Sequence, residues 1–144
     1  MQGVALIEVV LAIVVIGLCG ATIVGLMASI DRRSAETLVA GLRLNIAAAY
    51  LREITSQPWS DPDGMGGEAR GNYDNIDDYA GLDEVPSDGT GAALANFNGY
   101  RVAVVITQPG LGAIPNAQTR LIRVTVTDPF GGTSSVAGFR TQHP

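Results

Sequence analysis

Residues 9–28 read VVLAIVVIGLCGATIVGLMA, and Thr22 is the only side chain among them that is neither apolar nor absent. Roughly twenty residues at about 1.5 Å each make a helix of about 30 Å, the hydrocarbon thickness of a bilayer. A helix that is apolar on all sides must be wrapped by protein or by lipid, and a chain of 144 residues has too little left over to wrap it. Membrane insertion is therefore the first constraint on the fold. It also accounts for a chain that is 47% hydrophobic and only 16% charged. A cleaved secretory signal would need a basic start, which Met1-Gln2 does not supply, and a shorter apolar core. Lipid attachment at Cys19 would need a small residue before it, and Leu18 stands there.

The rest of the composition removes several function classes. A net charge of −5 argues against nucleic acid as a partner. All nine basic residues are Arg, so no Lys is available for Schiff-base chemistry, and the single His143 leaves little for acid–base or metal schemes built on imidazole. One Cys cannot form an intramolecular disulfide.

Glu8 stands directly before the apolar run. A carboxylate in lipid costs several kcal/mol, so such a residue usually has a partner or a function. Two readings stay open: Glu8 is solvated at the headgroup boundary, or its charge is kept for a partner met when the helix leaves lipid.

Gly3-Val4-Ala5-Leu6-Ile7-Glu8, followed by Val9-Val10-Leu11-Ala12-Ile13-Val14-Val15-Ile16-Gly17, resembles the class III signal of type IV prepilins and pseudopilins. The resemblance implies that a prepilin peptidase cuts between Gly3 and Val4 on the cytoplasmic side, and that the new N-terminal Val4 is methylated. It also implies that Glu8 pairs with the freed amine of a neighbouring subunit. Such a pair in apolar surroundings mainly selects register, since desolvation offsets much of its attraction. Two features depart from the pattern. Val4 replaces the commoner Phe, and the leader, residues 1–3, carries no basic side chain. Arg32 and Arg33, just past the apolar run, would by the positive-inside rule draw the C-terminus toward the cytoplasm. Either a start upstream of Met1 supplies basic residues or the assembly pathway overrides the bias.

Helical character continues beyond the membrane-length segment, residues 4–30. Residues 31–57 contain no Pro, and Ala35, Leu38, Val39, Leu42, Ile46, Ala49, Tyr50 and Ile54 recur at a helical period. Glu36, Arg43, Asn45, Arg52 and Glu53 form the expected solvated face, and Pro58 marks the stop. Residues 58–99 hold nine acidic residues against Arg70 alone, with eight of the 18 Gly, and read as loops packed by Trp59, Tyr73, Ile76, Tyr79, Leu82 and Phe97. Asp61 and Asp63, with Asp74, Asp77 and Asp78, are candidate ligands for Ca²⁺, although their spacing is not that of an EF-hand. A solvated acidic loop is the simpler alternative, and no cofactor is otherwise expected.

Residues 100–144 alternate as strands do. Tyr100, Val102, Val104 and Ile106 line one face of a first run, Ile122, Val124 and Val126 a second, and Val136 a shorter third near Phe139. Turn signals at Pro109-Gly110 and Pro129-Phe130-Gly131-Gly132 separate them. Three strands need a cover, which residues 35–54 can supply. Four Arg against Asp128 suggest that the acidic loop, or that of a neighbour, folds along this segment.

The expected class is therefore α+β, a long N-terminal helix packed on a small antiparallel sheet, which is also the pilin architecture. Within that family, Tyr50-Leu51-Arg52-Glu53-Ile54-Thr55-Ser56-Gln57-Pro58-Trp59 and Tyr73-Asp74-Asn75-Ile76-Asp77-Asp78-Tyr79 resemble the MshD-like minor pilins of mannose-sensitive haemagglutinin pili. The resemblance implies a structural minor subunit, not an enzyme. It would sit in the bacterial inner membrane with its N-terminus cytoplasmic and its C-terminal domain periplasmic. Its partners would be the prepilin peptidase, the bilayer before assembly, the inner-membrane assembly platform and other pilin subunits. A type II secretion pseudopilin is the nearest alternative. A membrane-anchored periplasmic binding module is a different one, and a tethered hydrolase using Asp77 and Asp78 is the remotest, because adjacent residues point apart in most backbones.

Overall fold

The computed structural model describes residues 4–64 and 68–142; Gly3 and His143 lie outside them. The chain divides into two compact units, Met1–Leu38 and Val39–Pro144. Helix α1 runs over Val4–Ser56, 53 residues. It stops where Pro58 disfavours helical geometry for Gln57, whose N–H closes the last turn on the Ile54 carbonyl at 3.2 Å.

In the first unit α1 has no interior to face. Leu6, Ile7, Leu11, Ile13 and Ile16 are all more than 60% exposed. Leu6–Met27 is long and apolar enough to cross a membrane, and none of it is buried.

In the second unit β1 (Asp83–Glu84), β2 (Arg101–Thr107), β3 (Thr119–Thr127) and β4 (Thr133–Thr141) form one antiparallel sheet in chain order. Alternation gives each strand one inward face. Val102 pairs with Val126 and Val104 with Val124, and Ile122 sits opposite Ile106. Val102, Val104, Ile122, Val124 and Val126 are almost wholly buried. Ile46, Ala47, Tyr50 and Ile54 of α1 complete the core, together with Ile76 and Tyr79 from the acidic region. Trp59, Tyr73, Leu82 and Phe97 pack around its margin.

Several expectations are corrected here. The sheet has four strands, because Asp83 and Glu84 of the acidic segment pair with Ala103 and Val102. The third run is not short: all nine residues of β4 pair with β3. The buried helical stripe starts later than its periodicity suggests. Ala35 and Leu38 are exposed, and Leu42 and Ala49 lie at the open edge of the contact. Arg43, assigned to the solvated face, is buried.

Arg43 is buried because it has a partner. Its guanidinium binds Asp128 in the turn between β3 and β4, and its Nε donates to Ser134 Oγ at 3.0 Å. Asp128 Oδ1 in turn accepts the N–H of Phe130 at 2.8 Å and of Gly132 at 3.0 Å. Burial works against the charge on Asp128, but these N–H groups and Arg43 together hold its carboxyl below the usual range. A side chain at position 132 would press on the Arg43 guanidinium and the Asp128 carboxylate, so any residue larger than Gly there would displace the pair.

Candidate functional site

Two regions carry the residues singled out by sequence. The first is the exposed apolar stretch of α1. Val4 opens the helix, and Glu8 stands exposed on it. Cys19 is free and exposed, and its carbonyl accepts the Thr22 hydroxyl at 2.8 Å, so the one polar side chain of the run is satisfied within the helix. Beta carbons built at Gly17, Gly20 and Gly25 would meet nothing within 4 Å. Small residues on a lipid-length helix permit close approach by another helix.

The second region is the acidic segment, and its geometry follows from local turns. Asp61 Oδ1 accepts the N–H of Asp63 at 3.0 Å and of Gly64 at 2.6 Å, a turn completed by Gly64 at φ 76°. Asp78 Oδ2 accepts the N–H of Asp74 and of Asn75, each at 3.1 Å. These turns bring carboxylates together in two overlapping groups, Asp61 with Asp63 and Asp74, and Glu68 with Asp74 and Asp78. Within each group the oxygens lie within 4.8 Å of one another. Glu68 Oε2 and Asp74 Oδ1 are closed off from solvent and accept no hydrogen bond. Burial pushes the Glu68 carboxyl up, and Asp63, Asp74, Asp78 and Asp61 add to it. Asp74 is likewise raised by burial, partly offset by Asn75, and then by Asp63, Asp61 and Asp78.

Of the five aspartates proposed from sequence, the fold gathers Asp61, Asp63, Asp74 and Asp78 and sends Asp77 elsewhere. Asp77 takes the guanidinium of Arg120 in two hydrogen bonds of 2.7 and 2.8 Å, and that guanidinium stacks 4.6 Å from the Trp59 ring centre. Asp77 is therefore removed from the ligand set. Glu68 was missed, since it adjoins neither aspartate cluster in sequence; only the charge surplus of the whole segment hinted at it. The cluster borders an open polar cleft of about 560 Å³ that has Trp59, Asn75 and Arg120 among its walls. Oxygen ligands of this kind suit a hard cation such as Ca²⁺.

The acidic segment is fastened to the rest of the unit through Arg70. Its guanidinium binds Glu53 of α1 at 2.6 Å and Glu84 of β1 at 3.3 Å. The rings of Tyr79, Tyr73 and Tyr50 surround it at 4.9, 5.4 and 5.7 Å. Tyr50 and Tyr79 donate their hydroxyls to the same two glutamates, at 2.7 and 2.9 Å. Burial raises both phenols above their usual value, so they remain donors at neutral pH. This network ties α1, the acidic segment and β1 to one guanidinium and reads as a clasp.

Asp77 and Asp78 do not form an acid–base pair, since one serves Arg120 and the other accepts backbone N–H groups. Comparison with family models, with curated proteins and with solved structures gives no match to this chain.

Proposed function

We propose that the chain is a structural minor subunit of a type IV pilus-like filament, made as a single-pass membrane precursor. The observation that carries this reading is the wholly exposed apolar stretch Leu6–Met27 with Glu8 near its start. An unburied helix of this kind needs lipid or other helices around it. In the precursor it spans the inner membrane, with the C-terminal domain periplasmic. After cleavage between Gly3 and Val4 by the prepilin peptidase and methylation of Val4, it bundles with the helices of other pilin subunits in a pilus or periplasmic filament. Glu8 then sets the stagger by pairing with a neighbour's amine. Nothing in the reading calls for catalysis. A type II secretion pseudopilin would share every one of these features.

The test is N-terminal peptide mapping of the protein made in its own host with the peptidase present. A mature chain that begins at N-methylated Val4 supports the proposal. A chain retaining Met1, unaffected by Gly3→Val, overturns it.

One observation favours a second reading, a membrane-anchored binding module. The orphaned oxygens of Glu68 and Asp74 are what a cation would satisfy. On that reading Ca²⁺ raises the thermal transition of the wild-type chain and not of Glu68→Gln, and Glu8→Ala is without effect. A transition indifferent to Ca²⁺ removes it.

A further inference from the structure

We infer that the open face of the sheet is a docking surface for the acidic loop of a second copy of this chain, joined head to tail. The face turned away from α1 places Val105, Arg123 and Ala137 side by side across three strands, with Leu121 and Phe139 in the next row. Val105 is 54% and Phe139 50% exposed. Arg123 is exposed at the centre and makes no ion pair among the described residues. A guanidinium ringed by apolar and aromatic side chains is the composition of an interface centre, and its forked donors fit a carboxylate.

The chemistry of the occupant follows from charge. Arg43, Arg70, Arg101 and Arg120 are each committed to a carboxylate of their own chain. Asp61, Glu68, Asp74 and Asp78 have no Arg partner among the described residues. The loop is thus left negative, and Arg123 leaves one uncompensated positive charge on the open face. Within its own chain the acidic segment is held elsewhere, by Asp77 on Arg120, and none of its carboxylates pairs with Arg123 among the described residues. A second copy offers the complementary charge. Since loop and face are different patches, each contact leaves one of each free, and such a contact propagates instead of closing. The inference goes beyond the membrane-helix reading and is independent of whether Gly3 is cleaved.

The experiment is sedimentation velocity of the full chain in detergent micelles. The wild type associates with rising concentration, and salt weakens the association. Arg123→Glu and the paired change Glu68→Gln with Asp74→Asn each weaken it by roughly tenfold or more while the domain still unfolds cooperatively on heating. Should Arg123→Glu fail to fold, Arg123→Gln is expected to act in the same direction. Mixed in equal amounts, the face variant and the loop variant form a dimer and nothing larger, since one supplies an intact loop and the other an intact face. Association untouched by either change, or a folded mixture that stays monomeric, overturns the inference.

Discussion

Leu6–Met27 and β3 are both rich in branched apolar residues, yet one is bare and the other is buried. The difference lies in pattern. In β3, Ile122, Val124 and Val126 alternate with Arg123 and Thr125, so one face goes inward and the other stays wet. In the helix no polar stripe exists, so no rotation about its axis can hide the apolar surface in the chain's own small domain. Self-sufficiency in folding therefore depends less on how much hydrophobic surface a segment has than on whether that surface can be gathered on one side.

Exchanging the chemistry of the two regions should break the comparison most severely. Val124→Asp places a lone carboxylate where burying it costs several kcal/mol, against a total of about 5–15 kcal/mol for a domain of ordinary stability. The expected outcome by circular dichroism is loss of the cooperative transition. Val15→Asp should leave that transition intact and lower the membrane-bound fraction instead, since a central Asp costs roughly 3 kcal/mol of insertion.

Truncation sharpens the same contrast. Ile122→Ala should cost about 2–5 kcal/mol in chemical denaturation, whereas Ile16→Ala, at a 70% exposed position, should not move it. Ion pairs repeat the contrast on a smaller scale. Arg43→Ala strands a buried Asp128 and should lower the melting temperature by several degrees, while Arg101→Ala, whose pair with Asp83 is more than half exposed, should not shift it measurably. The smallest effect concerns Glu68. Its carboxyl and that of Asp74 are raised in the fold, so their share of stability is present below the ordinary carboxylate range, about pH 4, and is lost as pH rises through their folded values. Glu68→Gln should therefore melt slightly higher than wild type at neutral pH, with the advantage vanishing on acidification. Asp83, Asp88 and Asp128 are lowered and work in the opposite sense, losing their share as pH falls.

Much of the fold was legible where one local rule decides the outcome. Pro58 ended the helix, the alternation at 102–106 and 122–126 gave two strands with the correct inward faces, and both turns fell between strands. What escaped depends on distant partners. Arg43 reads as a solvated helical position until Asp128, 85 residues away, is known to face it. β1 is two acidic residues with no strand propensity, brought into the sheet by the register of β2. β4 looked short because Thr133, Ser134 and Ser135 begin it and Gly138 interrupts its inner face; Leu51 of α1 fills the space over that glycine, 3.4 Å from where a Cβ would stand. In the acidic segment composition located the carboxylates as a group, but only the turns at Asp61 and Asp78 determined which of them meet.

The long sequence separation between Arg43 and Asp128 also has a consequence in time. The core-facing side of α1, from Ile46 to Ile54, leaves the ribosome well before β3 and β4 exist to cover it. With 87 residues between Ile54 and the end of β4 at Thr141 still to come, at about 5–20 per second, that apolar stripe stays uncovered for roughly four to seventeen seconds during every synthesis. Helix formation itself takes about a microsecond or less, so the wait is set by translation and not by folding. The sheet's last hairpin, closed by Asp128 onto Arg43, thus ends the exposure of that stripe, and slowing elongation after residue 60 should raise the chain's dependence on holding chaperones.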